Sequence, residues 1–417
     1  MTTAHPRISD DLALRHQYAI RTCVPERVAI PTTIAEASEI MQLAAHHGWH
    51  VIPWGGGTHQ LIGATPAQAD LVIVTTALNR VIHHEPNDLT ISVEAGMTIG
   101  ALRTYLAHHG QMLPVDPALP DHATIGGLIA TAADGPRRAI YGILRDMMIG
   151  ISVIEINGQV SKAGGMVVKN VSGFDMMKLY HGSFGTLALI VSANFKLYPI
   201  PTHHGTVVAT FSALQSALSY IDDIVASQLT PVTVELIDQA ILSRLQLQGA
   251  WGVALASEGP LAAVTRHQHD LTARAHHHGG ATHWFIDALN TTCWHHINDA
   301  SSVHTLAEHT CVIRWSTLPM CVGEFIERCS LYANQLGGDI SIHVRASVGS
   351  GYLRISGVDA TTQAAWFNAI PEALWIATTT PNLPTYWHTP AAGFDIMQQI
   401  RHEFDPQGRL NPHRFVV

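Results

Sequence analysis

Residues Ala123–Gly135 read ATIGGLIATAADG, and the side chains of Thr124, Gly126, Gly127, Ala130, Thr131, Ala132, Ala133 and Gly135 leave an almost bare backbone surface. Such a run serves one of two ends. It lets a helix pack closely on a sheet, or it lets the backbone press against a flat, charged ligand. Gly126-Gly127 directly after Thr124 weakens a helix start, which favours the ligand reading. Just upstream, Pro114-Val115-Asp116-Pro117 forms a rigid turn that could hold a ligand edge.

Further out, Pro53-Trp54-Gly55-Gly56-Gly57-Thr58 follows a short strand at Val51-Ile52-Pro53, and Tyr141-Gly142-Ile143-Leu144-Arg145-Asp146 and Lys169-Asn170-Val171-Ser172-Gly173-Phe174-Asp175 come later. A pyrophosphate needs several N–H donors at close range, and glycine permits that approach because it lacks Cβ and tolerates positive φ. The loop is no Rossmann fingerprint, since no G-x-G-x-x-G opens a helix, and no G-K-[ST] marks a P-loop. The ordered set of small-residue segments points to a bound dinucleotide held in another way.

The first half alternates helices and strands. Thr33 and Glu36 have capping-box spacing, and Ala37, Ile40, Met41 and Ala44 fall on one helical face that Gly48 ends. Leu71–Thr75 and Ile149–Ile156 read as buried strands, Arg80–His84 pairs with Thr90–Ala95 across Pro86-Asn87-Asp88, and Leu187–Leu197 is a long strand before the break at Pro199-Ile200-Pro201. Beyond that break, strands are expected at Thr206–Phe211, Val232–Ile237, Gly252–Ser257, Thr282–Ile286 and Cys311–Trp315, with helices at Ala213–Ala226 and Pro260–His277. Ser341–Val348 and Tyr352–Ser356 form a hairpin around Gly349-Ser350-Gly351. The expected class is α+β, with domains over 1–201 and 202–392 and a C-terminal helix and tail over 393–417.

Taken together, these segments resemble the FAD-binding domain of the vanillyl-alcohol oxidase/PCMH-type flavoproteins, over about Pro31 to Pro201 and again over Phe404 to Pro412. Within that family the chain is most similar to the FAD-binding subunits of bacterial glycolate oxidases, through Leu113–Pro117, Gly135-Pro136-Arg137-Arg138, Val168–Asp175 and Gly182-Ser183-Phe184-Gly185-Thr186-Leu187. The resemblance implies a two-lobed FAD-binding domain followed by an α+β cap domain with an antiparallel sheet. It makes Pro53, Trp54, Gly55, Gly56, Gly57, Thr58 and His59 the pyrophosphate loop. Pro114, Asp116, Thr124, Ile125, Gly126 and Gly127 would line the isoalloxazine and ribityl phosphate, Thr131 and Gly135 would continue that wall, and Tyr141, Gly142 and Asp146 would close it. Leu189 and Ile190 match positions that hold the adenine end, and Asn411 matches an asparagine near the flavin. Relatives with covalent flavin carry a histidine directly after the loop glycines. Thr58 stands there in this chain, which implies non-covalent FAD.

The cap departs from the pattern. Relatives that oxidise 2-hydroxy acids unaided carry a His-x-Gly-Asp-Gly-Asn segment that binds a metal or positions the substrate carboxylate. The counterpart here is Gly338-Asp339-Ile340-Ser341-Ile342-His343-Val344-Arg345, with no second histidine at metal spacing. His343 and Arg345 share one face of the strand and are the candidate catalytic residues. They serve either against a flavin or as a satisfied polar pair. No metal is expected. The resemblance implies a glycolate oxidase-like complex with a second flavoprotein subunit and an iron–sulfur subunit, acting on a small 2-hydroxy acid. The competing readings are a stand-alone FAD-linked oxidoreductase on another hydroxy acid or alcohol, and a non-catalytic structural subunit.

Bulk properties agree with an enzyme-like chain. Its 417 residues are 47% hydrophobic and 13% charged, enough for a large core. A net charge of −9 without a basic stripe argues against nucleic acid. Many of the 28 histidines, such as His46-His47 and His276-His277-His278, precede glycines where helices end, a place that favours imidazolium electrostatically. The five cysteines show no C-x-x-C pair, so neither a conventional iron–sulfur motif nor a zinc ribbon is read, and reduced thiols are expected. No signal peptide and no membrane helix are read, so a cytoplasmic location is expected, with membrane contact only through the complex.

Overall fold

The computed structural model describes residues 7–166, 174–390 and 392–416. Most of the Val168–Asp175 motif lies outside the described residues.

Two sheets make up the N-terminal half. The smaller has the order Ile8–Ser9, Val28–Ala29, Leu71–Val74, Val51–Trp54, and its last three strands run parallel. The larger is antiparallel, in the order Val81–Glu85, Thr90–Glu94, Leu189–Lys196, Met148–Ile154, Val160–Gly164. Val51, Leu71 and Ile73 of the first sheet share one buried cluster with Ile154, Leu189 and Val191 of the second, so the two lobes are wedged on a common core. Helix Ile34–His47 closes that cluster with Ala37, Ile40, Met41 and Ala44, the face that its periodicity requires. Thr33 caps it by accepting from Glu36 N at 3.1 Å. Glu36 does not complete a capping box with Thr33. Its carboxylate accepts from the Thr32 N–H at 2.7 Å, one residue earlier.

One expectation fails in this half. Ile125–Thr131 is a helix despite its two glycines. Thr124 Oγ1 accepts from Gly127 N at 3.3 Å, and a cap of this kind offsets the cost of glycine. Ile125, Leu128 and Ile129 are buried in the core behind it.

The second half carries an eight-stranded sheet in the order Ala281–Phe285, His203–Phe211, Trp251–Gly259, Glu235–Asp238, Asp339–Arg345, Ser350–Ser356, Cys311–Ser316, Ala373–Thr378. Every neighbouring pair is antiparallel. Helices Leu214–Ala226, Leu261–His277, Val322–Leu336 and Ala360–Ala369 pack Tyr220, Leu271, Phe325 and Trp366 on one face. Alternation then turns Glu235, Arg314, His343 and Arg345 to the opposite face, because Leu236, Ile313, Val344 and Ile342 belong to the helix-covered core. That polar face looks toward the N-terminal half. The helices Asp287–Asp299 and Ala360–Ala369 and the strand Ala373–Thr378 were not expected from the sequence. Cys321 stands in a short turn before Val322–Leu336 rather than inside that helix. All five cysteines are free, and Cys293, Cys311 and Cys329 are buried.

After helix Phe394–Phe404 the chain returns to the first lobe. Val51 N donates to Arg409 O at 2.9 Å and Asn411 N to Val51 O at 2.8 Å. Among the described residues, no helix is long and apolar enough to cross a membrane.

Candidate functional site

A cleft of about 720 Å³ opens where these pieces converge. Pro53 to Gln60 form one wall, Gly126, Gly127, Ala130 and Thr131 a second, and Phe184, Gly185, Ala188, Leu189 and Ile190 a third, with Asn411 and Arg414 at the junction. The loop is aimed by its strand. Val51 and Ile52 are buried in the parallel sheet, so the chain leaves it at a fixed point, and Gly57 turns at φ 73°.

The glycines divide by what a side chain would meet. A Cβ on Gly56 would overlap the His122 carbonyl oxygen, and one on Gly55 would overlap Thr124 Oγ1. On Gly126 it would come within 2.9 Å of Ala95 Cβ. These three let protein pack on protein. Gly127 differs, because outside its own helix backbone and chain neighbours the atom a Cβ would meet is Thr124 Oγ1 at 3.0 Å, the end of a side chain, and Gly127 lines the cleft.

The cleft also holds uncompensated positive charge. Arg414 is buried, and its guanidinium donates to Gln60 O at 2.6 Å and Ala64 O at 2.7 Å. Among the described residues it has no carboxylate partner, and its Nε is unpaired. Arg21, close behind, is likewise held by the carbonyls of Leu61, Gly63 and Thr378. Burial, with Arg21 adding to it, pushes Arg414 down to about 9. Buried charge without a counter-ion is costly, and a guanidinium is suited to phosphate oxygens. Asn411 donates to Phe184 O while its own Oδ1 stays buried without a partner. Bare backbone, an unpaired cation and a free amide oxygen suit a phosphate-bearing, hydrogen-bonding ligand. His59 adds no charge, since desolvation, and then His304, push it down to about 4.

A second cleft of about 320 Å³ continues past Thr58 and His59, which line both. Leu119, Asp134, Val303 and Tyr352 close it, so its far wall is the polar face of the large sheet. Here His343 Nε2 lies 2.7 Å from Glu235 Oε2, with both residues buried. Burial pushes Glu235 up to about 8 and His343 down to about 3, so each is held in its neutral form. Arg345 is paired with Asp134 across the two halves of the molecule.

Of the residues singled out in the sequence, Pro53 to His59, Gly126, Gly127, Thr131, Leu189, Ile190 and Asn411 come together in the first cleft. Pro114, Asp116, Thr124, Ile125, Gly135, Tyr141, Gly142 and Asp146 do not line it. Ile125 is core. Asp116 accepts from Arg137 N at 3.2 Å, and burial raises its carboxyl to about 7. Tyr141 donates to Glu258 Oε2 at 2.9 Å, and Asp146 accepts from Ile143 N at 3.1 Å. Gln60, Thr75, Phe184, Gly185, Ala188 and Arg414 line the cleft without a sequence signal of their own for it, although Phe184 and Gly185 belong to the Gly182–Leu187 motif, and Ala130 joins them from the small-residue run. Among the described residues no group of three or more His, Cys, Asp and Glu side chains is placed to hold a metal.

Residues 25–174 match the family described as FAD binding domain. This part of the chain is an FAD-binding domain. It is 30% identical over 259 residues to the glycolate oxidase subunit GlcD of Bacillus subtilis, covering 60% of this chain and 55% of that one. It is also 30% identical over 212 residues to a D-lactate dehydrogenase of Archaeoglobus fulgidus, covering 51% and 47%. The chain thus spans about half the length of these curated relatives. Among solved structures, p-cresol methylhydroxylase with substrate bound aligns with a TM-score of 0.75 at 14% identity, over 98% of this chain and 93% of that one. An alkyldihydroxyacetonephosphate synthase aligns equally well at 15% identity, over 97% and 83%. At these identities the two structures show a shared fold alone, and the FAD-binding domain matched over residues 25–174 makes the cofactor FAD.

Proposed function

We propose that this chain is the FAD-carrying subunit of a glycolate oxidase-like, 2-hydroxy-acid dehydrogenase complex in the cytoplasm. The observation that carries the reading is the convergence of the Gly55–Gly57 loop, Gly127 and the unpaired Arg414 on one cleft, in a chain similar to a glycolate oxidase subunit and to D-lactate dehydrogenases. Residues 1–201 act as the FAD-binding domain, 202–392 as the cap, and 393–417 return to complete the cofactor cleft. Backbone N–H groups of the loop meet the pyrophosphate, Arg414 supplies its counter-charge, and Leu189 and Ile190 face the adenine end. Bound FAD supplies two-electron redox chemistry at the alcohol carbon of a hydroxy acid. Thr58 in the position of the covalent histidine supports a non-covalent cofactor. Electrons leave through a second flavoprotein subunit and an iron–sulfur subunit.

The test has three parts. Acid-denatured protein releases FAD to the supernatant in stoichiometric amount. Flavin retained on the pellet would instead place a covalent bond in the cleft, where His59 is the candidate. The isolated chain, mixed anaerobically with glycolate or D-lactate, bleaches its flavin absorbance very slowly, and an affinity tag on the chain recovers an iron–sulfur protein from its native host. Rapid bleaching by the isolated chain would replace the subunit reading with a stand-alone oxidoreductase.

A further inference from the structure

The second cleft ends at an arrangement that the FAD-binding role does not use. Arg345 and Arg314 project side by side from neighbouring parts of the large sheet, both buried. Tyr352 lies between them, its ring centroid 4.6 Å from the Arg314 guanidinium carbon and 5.4 Å from that of Arg345. Both guanidiniums turn to a single carboxylate, Asp134, which belongs to the other half of the molecule and ends the run TAAD after helix Ile125–Thr131. Arg345 donates to Asp134 Oδ1 and, at 3.0 Å, to Asp134 O. Arg314 Nη2 stands 3.6 Å from Oδ1, and the half-exposed Arg138 takes Oδ2 at 2.5 Å.

Counting charge shows what the cluster is built for. Two buried guanidiniums and a third at the rim face one carboxylate. The other acids that act on Arg345 are both pushed toward their neutral forms by burial: Glu235, which is bonded to His343, and Asp116. Arg345 Nε remains buried and unpartnered. A simple interdomain ion pair needs one arginine. Paired guanidiniums flanking an aromatic ring make a receptor for a planar carboxylate. Asp134 and Tyr352 both line the cleft that Thr58 and His59 join to the cofactor cleft, so this receptor stands where an acid next to the flavin would be bound.

We infer that Arg314, Arg345 and Tyr352 form a carboxylate subsite, and that Asp134 fills it from within the chain and keeps free 2-hydroxy acids out. The inference rests on the FAD-subunit reading for the identity of the excluded ligand. The subsite itself rests on the side chains alone. It explains why a chain with a complete cofactor cleft would depend on a partner for substrate: its own carboxylate receptor is already occupied.

The test uses the full-length chain with Asp134→Ala and Asp134→Asn, followed by thermal unfolding in sodium glycolate, sodium acetate or sodium chloride at matched ionic strength. Removing the carboxylate leaves buried cations unpaired, so both variants melt roughly 5–10 °C below wild type in chloride. Glycolate and acetate recover at least half of that loss in the alanine variant, in which the carboxylate-sized space is vacant, and recover less in the asparagine variant. Wild type is unmoved by either acid. The inference is overturned if wild type gains as much from glycolate as the alanine variant, if both variants ignore carboxylates, or if neither folds in any of the three salts, since Asp134 would then be a structural strut. FAD content is read separately by absorbance. Variants that keep FAD and ignore carboxylates defeat the subsite and spare the cofactor reading. Carboxylate rescue in a chain that never binds FAD does the reverse.

Discussion

The two clefts meet at Thr58 and His59 but are built from opposite materials. The cofactor cleft is lined by glycines and other small residues alongside Trp54, Phe184, Leu189 and Ile190, and its buried cation, Arg414, has no carboxylate partner among the described residues. The inner cleft ends in ionised side chains already engaged within the chain, with Asp134 gathering Arg138, Arg314 and Arg345 and a cationic excess left over. A site prepared for a ligand keeps unspent hydrogen-bonding capacity, and a site closed to one has used it up. By that measure the first cleft is suited to a phosphate-bearing ligand, and the second has its carboxylate position filled from within the chain.

The largest expected effect separates glycines that hold the protein together from one that faces the ligand. Gly56→Val forces a side chain into the His122 carbonyl and should cost more than about 4 kcal/mol, leaving little folded protein by circular dichroism. Gly127→Val should fold with a near-normal melt and lose FAD, read as the flavin-to-protein absorbance ratio. Full FAD occupancy in a well-folded Gly127→Val chain would move the cofactor elsewhere.

Next in size, Arg345→Met breaks a buried ion pair and should lower stability to urea by about 3–5 kcal/mol while FAD occupancy stays as in wild type. Parallel loss of both would show that the clefts are one site.

Glu235 gives a pH-dependent contrast. It holds its proton in the folded chain up to about pH 8 but releases it near about 4.3 when unfolded. Between those values the folded state binds more protons, so the contribution of Glu235 to stability falls as pH rises through the window and is level on either side. Glu235→Gln should therefore gain on wild type from pH 5 to pH 8, by up to roughly 1.4 kcal/mol per unit of displacement. A difference that stays constant across that range in urea titrations would mean that the carboxyl is ionised throughout.

The smallest effect is expected at Tyr141, which the family resemblance put on the flavin wall. Its hydroxyl donates to Glu258 Oε2 at 2.9 Å. Tyr141→Phe should cost about 1 kcal/mol of stability and leave the FAD dissociation constant within twofold.

Much of this was legible in the sequence because it depends on local pattern. The amphipathic spacing of Ala37, Ile40, Met41 and Ala44, the alternation around His343 and Arg345, and the ordered glycine segments each announce themselves over a few residues. The FAD-binding class follows from them. What stayed hidden was pairing at a distance. Nothing near Asp134 says that its partners lie 180 and 211 residues further on, at Arg314 and Arg345. The helix at Ile125–Thr131 was obscured for the same reason. Glycine discourages a helix locally, yet Gly126 is demanded by Ala95, which the fold alone brings to it. Gly135 and Asp116 show the same dependence on distant contacts, since a Cβ on Gly135 would meet Asp116.

The return of the C-terminal segment to Val51 sets an order of events for the newborn chain. The glycine loop leaves the ribosome long before Asn411 and Arg414, which finish the same cleft. The nascent protein can therefore build both sheets of its first half and the whole of the cap while still unable to hold its cofactor firmly. Firm FAD capture would then wait on Asn411 and Arg414, and a chain cut short before Leu410 would leave the cleft unfinished.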